Sequence, residues 1–341
     1  MFGYGTLERL NELLPKRSND NDHLLFLIDN IHHETGLMDR IELGDTDKIF
    51  WVDTSYEPTT WQIDNMRDQI SDQQERNPVA VIAVGGGSTM DVGKSISILL
   101  TNGGKSADFQ GWDLVKTPAL YKVGIPTLAG TGAEASRTAV LTGPDKKLGI
   151  NSDQSIFDAI LCDASLLESV PYDQRFFTAM DCYIHCVESL QGLMINEMSK
   201  SYASKALDLC RKVIREDADD EKLMVASYLG GCSIANSEVG ICHALSYGLS
   251  LVLGFRHGIA NCIAFNVLEK YYGVFVNEMR EMMALHGIVL PEHVTNSLDG
   301  DDLEKMVNMT LKMEKPLTNT LGQGWREKLT VEEIVRLYTN M

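Results

Sequence analysis

The sequence predicts an α/β domain with an open sheet over residues 1–165, followed by an all-α domain over residues 166–341. Three observations predict this division. The chain has 341 residues, which is more than one hydrophobic core comfortably accommodates. Strand-like and helix-like segments alternate in the first half. After about Leu166, helical periodicity and strong helix formers dominate to the end of the chain.

The first elements are recognised from apolar runs. Residues 24–28 and 48–52 are short apolar runs that predict strands, and the first of them ends at Asp29. Residues 79–84 form an uninterrupted apolar run, which is typical of a parallel strand buried on both faces. Between them, residues 61–76 carry apolar side chains at helical spacing and predict a helix.

Two further segments complete the first half. Residues 122–127 predict another strand. Residues 136–152, with Gly143-Pro144-Asp145 at their centre, predict a β-hairpin, because glycine and proline mark turns. Strand, helix and strand in this order indicate an open α/β sheet.

Composition narrows the class of protein. The chain has 30 basic and 48 acidic residues and a formal charge of −18, which argues against nucleic acid or an anionic membrane as a partner. The longest apolar stretch, residues 239–268, contains two histidines and Arg256, and it therefore predicts buried helices rather than a membrane span. Seven cysteines, mostly in apolar runs and without a Cys-x2-Cys pair, fit reduced core thiols. The first residues show no secretory pattern, so we expect a cytoplasmic protein with a small-molecule substrate.

Four residues in the second half predict a metal site. Asp181 and His185 are one helical turn apart and lie on the same helix face. His243 and His257 follow in stretches of small apolar residues, where charge is costly. One oxygen and three nitrogen donors suit Fe(II) or Zn(II), whereas calcium and magnesium require more oxygens. The alternative is an exposed polar pair on a helix together with two satisfied core histidines.

A glycine run predicts a phosphate-binding loop in the first half. Gly85-Gly86-Gly87-Ser88 follows the buried strand and leads into a helix that contains Asp91 and Lys94. Glycines let backbone amides approach a phosphate, and a helix N-terminus favours its charge. The alternative is a simple tight turn; a P-loop is excluded, because no Gly-Lys-Ser/Thr follows at the required spacing. Asp29 is placed to hold an adenosine ribose, or merely to cap a helix.

A second loop also suits a nucleotide. Residues 125–134 contain Thr127, Thr131 and two glycines after a strand, which suits a diphosphate or ribose. The alternative is a packed turn in which Thr131 caps the following helix. Lys147, on the predicted hairpin, is a candidate for a charge facing phosphate, although most such lysines face water.

Taken together, these motifs resemble those of the iron-containing alcohol dehydrogenase family over nearly the whole chain. The resemblance rests on Gly85-Gly86-Gly87-Ser88 with Asp91 and Lys94, on residues 126–134, on Asp181-x3-His185 continuing to Glu188, and on His243 and His257-Gly258-Ile259-Ala260-Asn261. It implies an N-terminal Rossmann-like domain, a helical C-terminal domain, a cleft between them, and a homodimer.

The resemblance also implies which residues bind the cofactors. The expected metal ligands are Asp181, His185, His243 and His257, holding Fe2+ or Zn2+. The expected NAD(P) contacts are Asp29, Gly86, Gly87, Ser88, Asp91, Thr127, Thr131 and Lys147.

The amino-acid sequence around the motifs is similar to that of one group within the family. The similar segments are Gln110-Gly111-Trp112-Asp113-Leu114, residues 147–153, residues 180–186 and residues 243–249. Members of that group oxidise the terminal CH2OH of the sugar acid 3-deoxy-D-manno-octulosonate to an aldehyde, with oxygen as the reported acceptor. A partner aminotransferase then forms the 8-amino sugar of lipopolysaccharide. The sequence leaves three alternatives open: an NAD(P)-dependent dehydrogenase of a short alcohol, diol or aldehyde; a dehydroquinate-synthase-like cyclase; and a non-catalytic metal-binding or nucleotide-sensing protein.

Two departures from the family pattern affect these expectations. Tyr247 stands where many members have a second histidine in the cleft. Because a phenol titrates near pH 10, we expect Tyr247 to orient the alcohol by a hydrogen bond rather than to act as the base. Family members usually also have a strand before the position where this chain begins with Met1-Phe2-Gly3, and we therefore expect an N-terminus that is truncated or starts late.

Overall fold

The computed structural model describes residues 1–73, 76–143, 146–216 and 219–341. It divides them into two compact units. The first contains Met1–Ala129 and Ala133–Val170, and the second contains Gly130–Gly132 and Pro171–Met341. The boundary predicted near residue 165 falls inside the short 3₁₀ helix Ala164–Leu167, which belongs to the first unit.

A five-stranded parallel sheet forms the centre of the first unit. Its strands, in spatial order, are β2 (Lys48–Val52), β1 (Leu24–Asp29), β3 (Ala80–Gly85), β5 (Lys122–Pro126) and β8 (Ala159–Ile160). Every residue of β1 is buried, as expected for a central strand covered on both faces. Successive side chains point to opposite faces, so Leu24 and Phe26 enter one apolar core and Leu25 and Leu27 enter another.

The predicted hairpin forms, although its central residues Pro144 and Asp145 lie outside the described part. Strands β6 (Thr138–Thr142) and β7 (Lys147–Asn151) pair antiparallel, and β4 (Gly111–Trp112) joins β7 to give a three-stranded sheet. The open sheet and the hairpin therefore confirm the α/β character of the first half.

The helix predicted over residues 61–76 is shorter than expected. Helix α1 runs over Thr60–Asp72, and Gln73 caps its C-terminus by donating its N–H to Ile70 and Ser71; residues 74 and 75 lie outside the described part. The prediction was wrong at Gln73 and Arg76. No apolar position follows Ile70, and Pro78 disfavours a helical conformation in the residue before it. Helix α2 (Gly87–Asn102) follows the glycine run as expected.

The order of the parallel strands creates a switch point in the first unit. The chain moves from β1 to β2 on one side and then to β3 on the other. In open α/β sheets, ligands bind outside the carboxyl ends of the strands where the direction reverses. The residues that follow β1 and β3 therefore stand at the position where a nucleotide is expected.

The second unit is helical, as expected from the periodicity after Leu166. Its helices are α3 (Tyr172–Gln191), α4 (Glu197–Glu216), α5 (Asp220–Asn236), α6 (Ile241–Leu253), α7 (His257–Asn266), α8 (Glu269–Tyr272), α9 (Val274–Leu285), α10 (Gly300–Lys312), α11 (Glu314–Leu321), α12 (Trp325–Lys328) and α13 (Val331–Thr339). None of the described helices has both the length and the apolarity needed to cross a bilayer. All seven cysteines are free thiols, and six of them are buried.

The short segment Gly130–Gly132 packs against two of these helices. A Cβ on Gly130 would lie 1.9 Å from the Thr178 carbonyl oxygen of α3, and one on Gly132 would lie 2.5 Å from Gly231 Cα of α5. Both glycines also have a positive φ. Only glycine fits these two positions, so this part of the predicted nucleotide loop belongs to the packing of the helical unit.

Candidate metal centre

Three helices bring the four predicted ligands together. Asp181 and His185 lie on one face of α3, as their spacing predicts. His243 lies in the first turn of α6, and His257 is the first residue of α7. The four side chains form one cluster whose ligand atoms all lie within 4.8 Å of one another.

Asp181 is at the centre of this cluster. Its Oδ1 atom lies 3.7 Å from His185 Nε2, 3.6 Å from His243 Nε2 and 3.6 Å from His257 Nε2. The imidazole rings of His185 and His243 are stacked, with their centroids 4.6 Å apart. Ligand atoms at metal–ligand distances of about 2.0–2.2 Å around one ion have separations of this order.

His257 is more exposed to solvent than the other three ligands. The side chains of Asp181, His185 and His243 are 0%, 4% and 2% exposed, whereas that of His257 is 26% exposed. The cluster is therefore closed on the side of α3 and opens towards His257. A catalytic metal needs such an open position.

The charge states of Asp181 and His185 suit a cation. Burial opposes ionisation of Asp181, but His185, His257 and His243 outweigh it and hold the pKa of its carboxyl well below the usual range. Burial, reinforced by the neighbouring imidazoles, lowers the pKa of His185 to about 4 despite the nearby Asp181. An ionised carboxylate and a neutral imidazole are the forms that bind a divalent ion.

The buried carboxylate of Asp181 is not fully paired within the protein. Its Oδ2 atom has no hydrogen-bond partner among the described residues. Leaving buried polar atoms unpaired is costly, and most such atoms in proteins are paired. An ion bound by Asp181 would compensate the buried carboxylate, so the residues present fit a divalent metal.

Glu188 fixes the orientation of His243. It lies on α3, is fully buried, and accepts hydrogen bonds from His243 Nδ1 at 2.5 Å, Cys242 N at 2.7 Å and Tyr272 Oη at 2.9 Å. The hydrogen bond to Nδ1 leaves Nε2 of His243 facing Asp181. A Cβ on Gly240 would lie 2.7 Å from Glu188 Oε1, so this close approach of α3 to the start of α6 requires glycine.

Glu188 and His243 each shift the pKa of the other. Burial opposes the charge on both side chains. The charge and hydrogen bonds of Glu188, together with Asp181, outweigh burial and raise the pKa of His243 to about 9. His243 in turn holds the pKa of Glu188 below its usual range despite burial. The sequence showed Glu188 only as part of a motif, because its contact with His243 spans 55 residues.

Asn261 also touches three of the four ligands. Its Nδ2 donates to Asp181 Oδ1 at 2.6 Å and lies 3.1 Å from Nε2 of both His243 and His257. It is fully buried, one turn after His257 on α7. Asn261 therefore joins the start of α7 to the ligands on α3 and α6, a role that the sequence motif did not reveal.

Tyr247 lies beside the exposed ligand. Its ring centroid is 6.0 Å from that of His257, and the two rings meet edge to face. It is one turn after His243 on α6. This position is consistent with contact between the phenol and a substrate bound near His257.

Five of the residues expected to contact the nucleotide lie at the carboxyl edge of the sheet in the first unit. Asp29 ends β1, Gly86 and Gly87 follow β3, and Thr127 follows β5. Ser88 lies in the first turn of α2, where Gly86 has no side chain to cap the helix amides. These amides and the helix dipole suit an anion.

Asp29 and Thr127 are already bonded within the protein. Asp29 Oδ1 accepts from Ile31 N at 3.1 Å and from Thr54 Oγ1 at 2.9 Å, so it caps a short 3₁₀ helix, as the alternative interpretation holds. Thr127 Oγ1 lies 3.0 Å from Nε2 of His32, a buried residue that the sequence did not single out. The only signal for His32 was its position just after β1.

The remaining expected contacts are placed differently. Asp91 accepts from Val140 N at 3.0 Å and thereby binds α2 to the hairpin. Lys147 is buried and forms an ion pair with Glu57. Thr131 belongs to the segment Gly130–Gly132 of the helical unit, and a 3₁₀ turn (Ala133–Ala135) follows it rather than an α-helix.

Comparison with known proteins identifies the relatives of this chain. The family model described as iron-containing alcohol dehydrogenase matches residues 1–164. The model described as the C-terminal part of the Fe-containing alcohol dehydrogenase family matches residues 176–338. Together the two models cover nearly the whole chain, including all four residues of the cluster.

Individual relatives give the same result. Alcohol dehydrogenase 4 of Schizosaccharomyces pombe is 28% identical over 61% of this chain and 52% of its own length, so the match spans about half of that relative. NAD-dependent methanol dehydrogenase of Bacillus methanolicus is 27% identical over 72% of this chain and 69% of its own length. The solved iron-containing alcohol dehydrogenase of Thermotoga maritima superimposes with a TM-score of 0.81 at 24% identity, covering 99% of this chain and 96% of that chain. This structural similarity confirms the fold.

Proposed function

The chain belongs to the iron-containing alcohol dehydrogenase family, whose members are oxidoreductases acting on alcohols, and we propose that it oxidises a primary alcohol to an aldehyde at a divalent metal. The proposed substrate is the terminal CH2OH of 3-deoxy-D-manno-octulosonate. The observation that carries the proposal is the arrangement of three imidazole nitrogens around Asp181 Oδ1 at 3.6–3.7 Å.

The residues of the cluster have separate roles in this reaction. Asp181, His185, His243 and His257 would hold the ion, Fe2+ or Zn2+, and the ion would supply Lewis acidity that lowers the pKa of an alcohol. Glu188 keeps His243 in the tautomer that presents Nε2 to the site. Tyr247, beside His257, orients the hydroxyl by a hydrogen bond.

The substrate is proposed from the amino-acid sequence around the motifs. The four segments around Trp112, Lys147, Asp181 and His243 are similar to those of 3-deoxy-D-manno-octulosonate 8-oxidase. By this proposal the protein acts in the cytoplasm as a homodimer, and an aminotransferase consumes its aldehyde product to form the 8-amino sugar of lipopolysaccharide.

The proposed hydride acceptor is NAD(P). The glycine run, the uncapped start of α2 and Asp29 all lie at the carboxyl edge of the sheet, at its switch point. The relative from Bacillus methanolicus is an NAD-dependent methanol dehydrogenase, which favours a second candidate function. In that case the protein is an NAD(P)-dependent dehydrogenase of a short-chain alcohol, diol or aldehyde, with the same metal ligands.

A substrate and acceptor panel tests both candidates. The purified protein, loaded with Fe2+ or with Zn2+, is given 3-deoxy-D-manno-octulosonate, ethanol or 1,2-propanediol together with NAD, NADP or oxygen. Aldehyde is trapped as a hydrazone and identified by mass spectrometry, and NAD(P)H is followed by absorbance. We expect metal-dependent formation of the C8 aldehyde. Turnover of the short alcohols alone would favour the second candidate, and no metal-dependent turnover of any alcohol would contradict both.

A further inference from the structure

Arg256 differs from the other arginines of the helical unit in its partner. Among the described residues of that unit, six arginines form ion pairs with aspartate or glutamate: Arg175, Arg211, Arg215, Arg280, Arg326 and Arg336. Arg256 forms no ion pair with a described carboxylate. Its Nη1 donates to the neutral amide oxygen of Gln174 on α3, at 3.3 Å.

Its position relates this charge to the metal centre. Arg256 is exposed, directly precedes His257 and is the N-cap residue of α7. His257 is the ligand at which the cluster opens. Arg256 is thus the residue next to this ligand in the chain, and its bond to Gln174 connects it to α3, the helix that carries Asp181 and His185.

Because the whole chain is strongly acidic, a local positive charge such as that of Arg256 is needed to bind an anionic substrate. The chain carries a formal charge of −18, which repels an anionic substrate at long range. A guanidinium presents a planar fork of donors that matches a carboxylate in two parallel hydrogen bonds. Since Gln174 accepts only one of these donors, the others are available for an external anion.

We propose that Arg256 binds the carboxylate of the substrate while the substrate's primary alcohol occupies the metal centre. This inference rests on the proposed function and adds a determinant of its specificity. The substrate class is a hydroxy acid whose carboxylate lies several carbons from the alcohol. Arg256 and His257 are adjacent in the chain, so their Cα atoms are about 3.8 Å apart, and the long side chain of Arg256 reaches Gln174 on α3. The eight-carbon sugar acid belongs to this class, whereas ethanol and diols have no group for Arg256 to bind.

The test compares the negatively charged sugar acid with its uncharged methyl ester. Arg256→Gln is measured with 3-deoxy-D-manno-octulosonate and with its methyl ester, which removes the negative charge but keeps the terminal alcohol. We expect KM for the acid to rise about tenfold to a hundredfold, as for loss of a charged hydrogen bond, with little change in kcat. KM for the ester should change little, and Arg256→Lys should recover part of the affinity for the acid.

Arg336→Gln serves as the matched control, because Arg336 is exposed on the same unit but pairs with Glu333. Metal content is measured for each variant. An unchanged KM for the acid in Arg256→Gln would overturn the inference, and so would an equal rise for acid and ester, which would indicate a structural role. If the wild-type protein oxidises neither compound, the proposed function itself fails, and this result is distinct from either of the others.

Discussion

Asp181 and His185 at the metal centre differ from Asp29 and Thr127 at the carboxyl edge of the sheet in how far the protein itself pairs them. At the sheet edge, Asp29 is bonded to Ile31 and Thr54, and Thr127 to His32. At the metal centre, Asp181 Oδ2 and His185 Nδ1 are buried without a partner among the described residues.

This difference reflects two kinds of binding site, one formed by backbone groups and one formed by side chains. A phosphate is bound largely by backbone amides and a helix N-terminus, so the nearby side chains are free to hold the loops together. A divalent ion is bound by the side chains themselves, and its binding is coupled to bringing them together. Mutations at the metal centre should therefore have larger effects on binding than mutations at the sheet edge.

The largest expected effect comes from removing a ligand. His257→Ala should abolish activity and lower metal affinity by more than a hundredfold, because the three remaining ligands hold an ion far less well than four. Metal content after dialysis and titration calorimetry with Zn2+ measure this. The control is His293→Asn, a change of an exposed histidine with φ 57°, a conformation that asparagine tolerates. A full metal equivalent in His257→Ala would show that the ligand assignment is wrong.

The next effect concerns the residue that orients a ligand. Glu188→Gln keeps the shape of the side chain but places an NH2 group against one of three donors, His243, Cys242 or Tyr272. Loss of such a partner typically lowers metal affinity by about 10–100-fold. The same titration measures it, with unchanged circular dichroism as the check on folding. Wild-type affinity in this variant would show that Glu188 does not position His243.

The comparison also explains what the sequence could predict. The Asp181–His185 pair follows from local helix geometry, and the buried run of β3 from its composition, so both could be predicted without tertiary information. The partner of His243 could not, because Glu188 lies 55 residues away and only the packing of α3 against α6 brings them together.

The same limit applies in the first unit. Lys147 was a candidate for contact with phosphate, but the structure pairs it with Glu57, 90 residues earlier in the chain. Asp91 is bonded to Val140 on the hairpin. Sequence spacing identifies the chemical type of such residues, whereas their partners depend on which strands and helices become neighbours.

At the sheet edge we expect a moderate effect on cofactor choice. If Asp29 faces the adenosine ribose, its charge repels the 2′-phosphate of NADP, and NAD should be preferred. Asp29→Asn removes the charge but retains an oxygen for Ile31 N and Thr54, so the local fold should persist. The affinity ratio of NAD to NADP, measured by fluorescence titration, should fall on the order of tenfold. Equal affinities for both cofactors in the wild type would remove Asp29 from the assignment.

The smallest expected effect is that of Tyr247, which lies at the edge of the metal centre and is not a ligand. If the phenol orients the alcohol, Tyr247→Phe should lower kcat/KM by the worth of one hydrogen bond, about 1 kcal/mol or a few-fold. The ring that packs near His257 remains in this variant, so metal content should not change. If Tyr247 instead relays the proton, the loss should reach about 10²–10⁴-fold and a pKa should disappear from the pH–rate profile. A purely packing role predicts normal kinetics in Tyr247→Phe and lower thermal stability only in Tyr247→Ala. We expect the few-fold loss with an unchanged pH profile, since a metal bound by Asp181 and the three histidines would already acidify the alcohol.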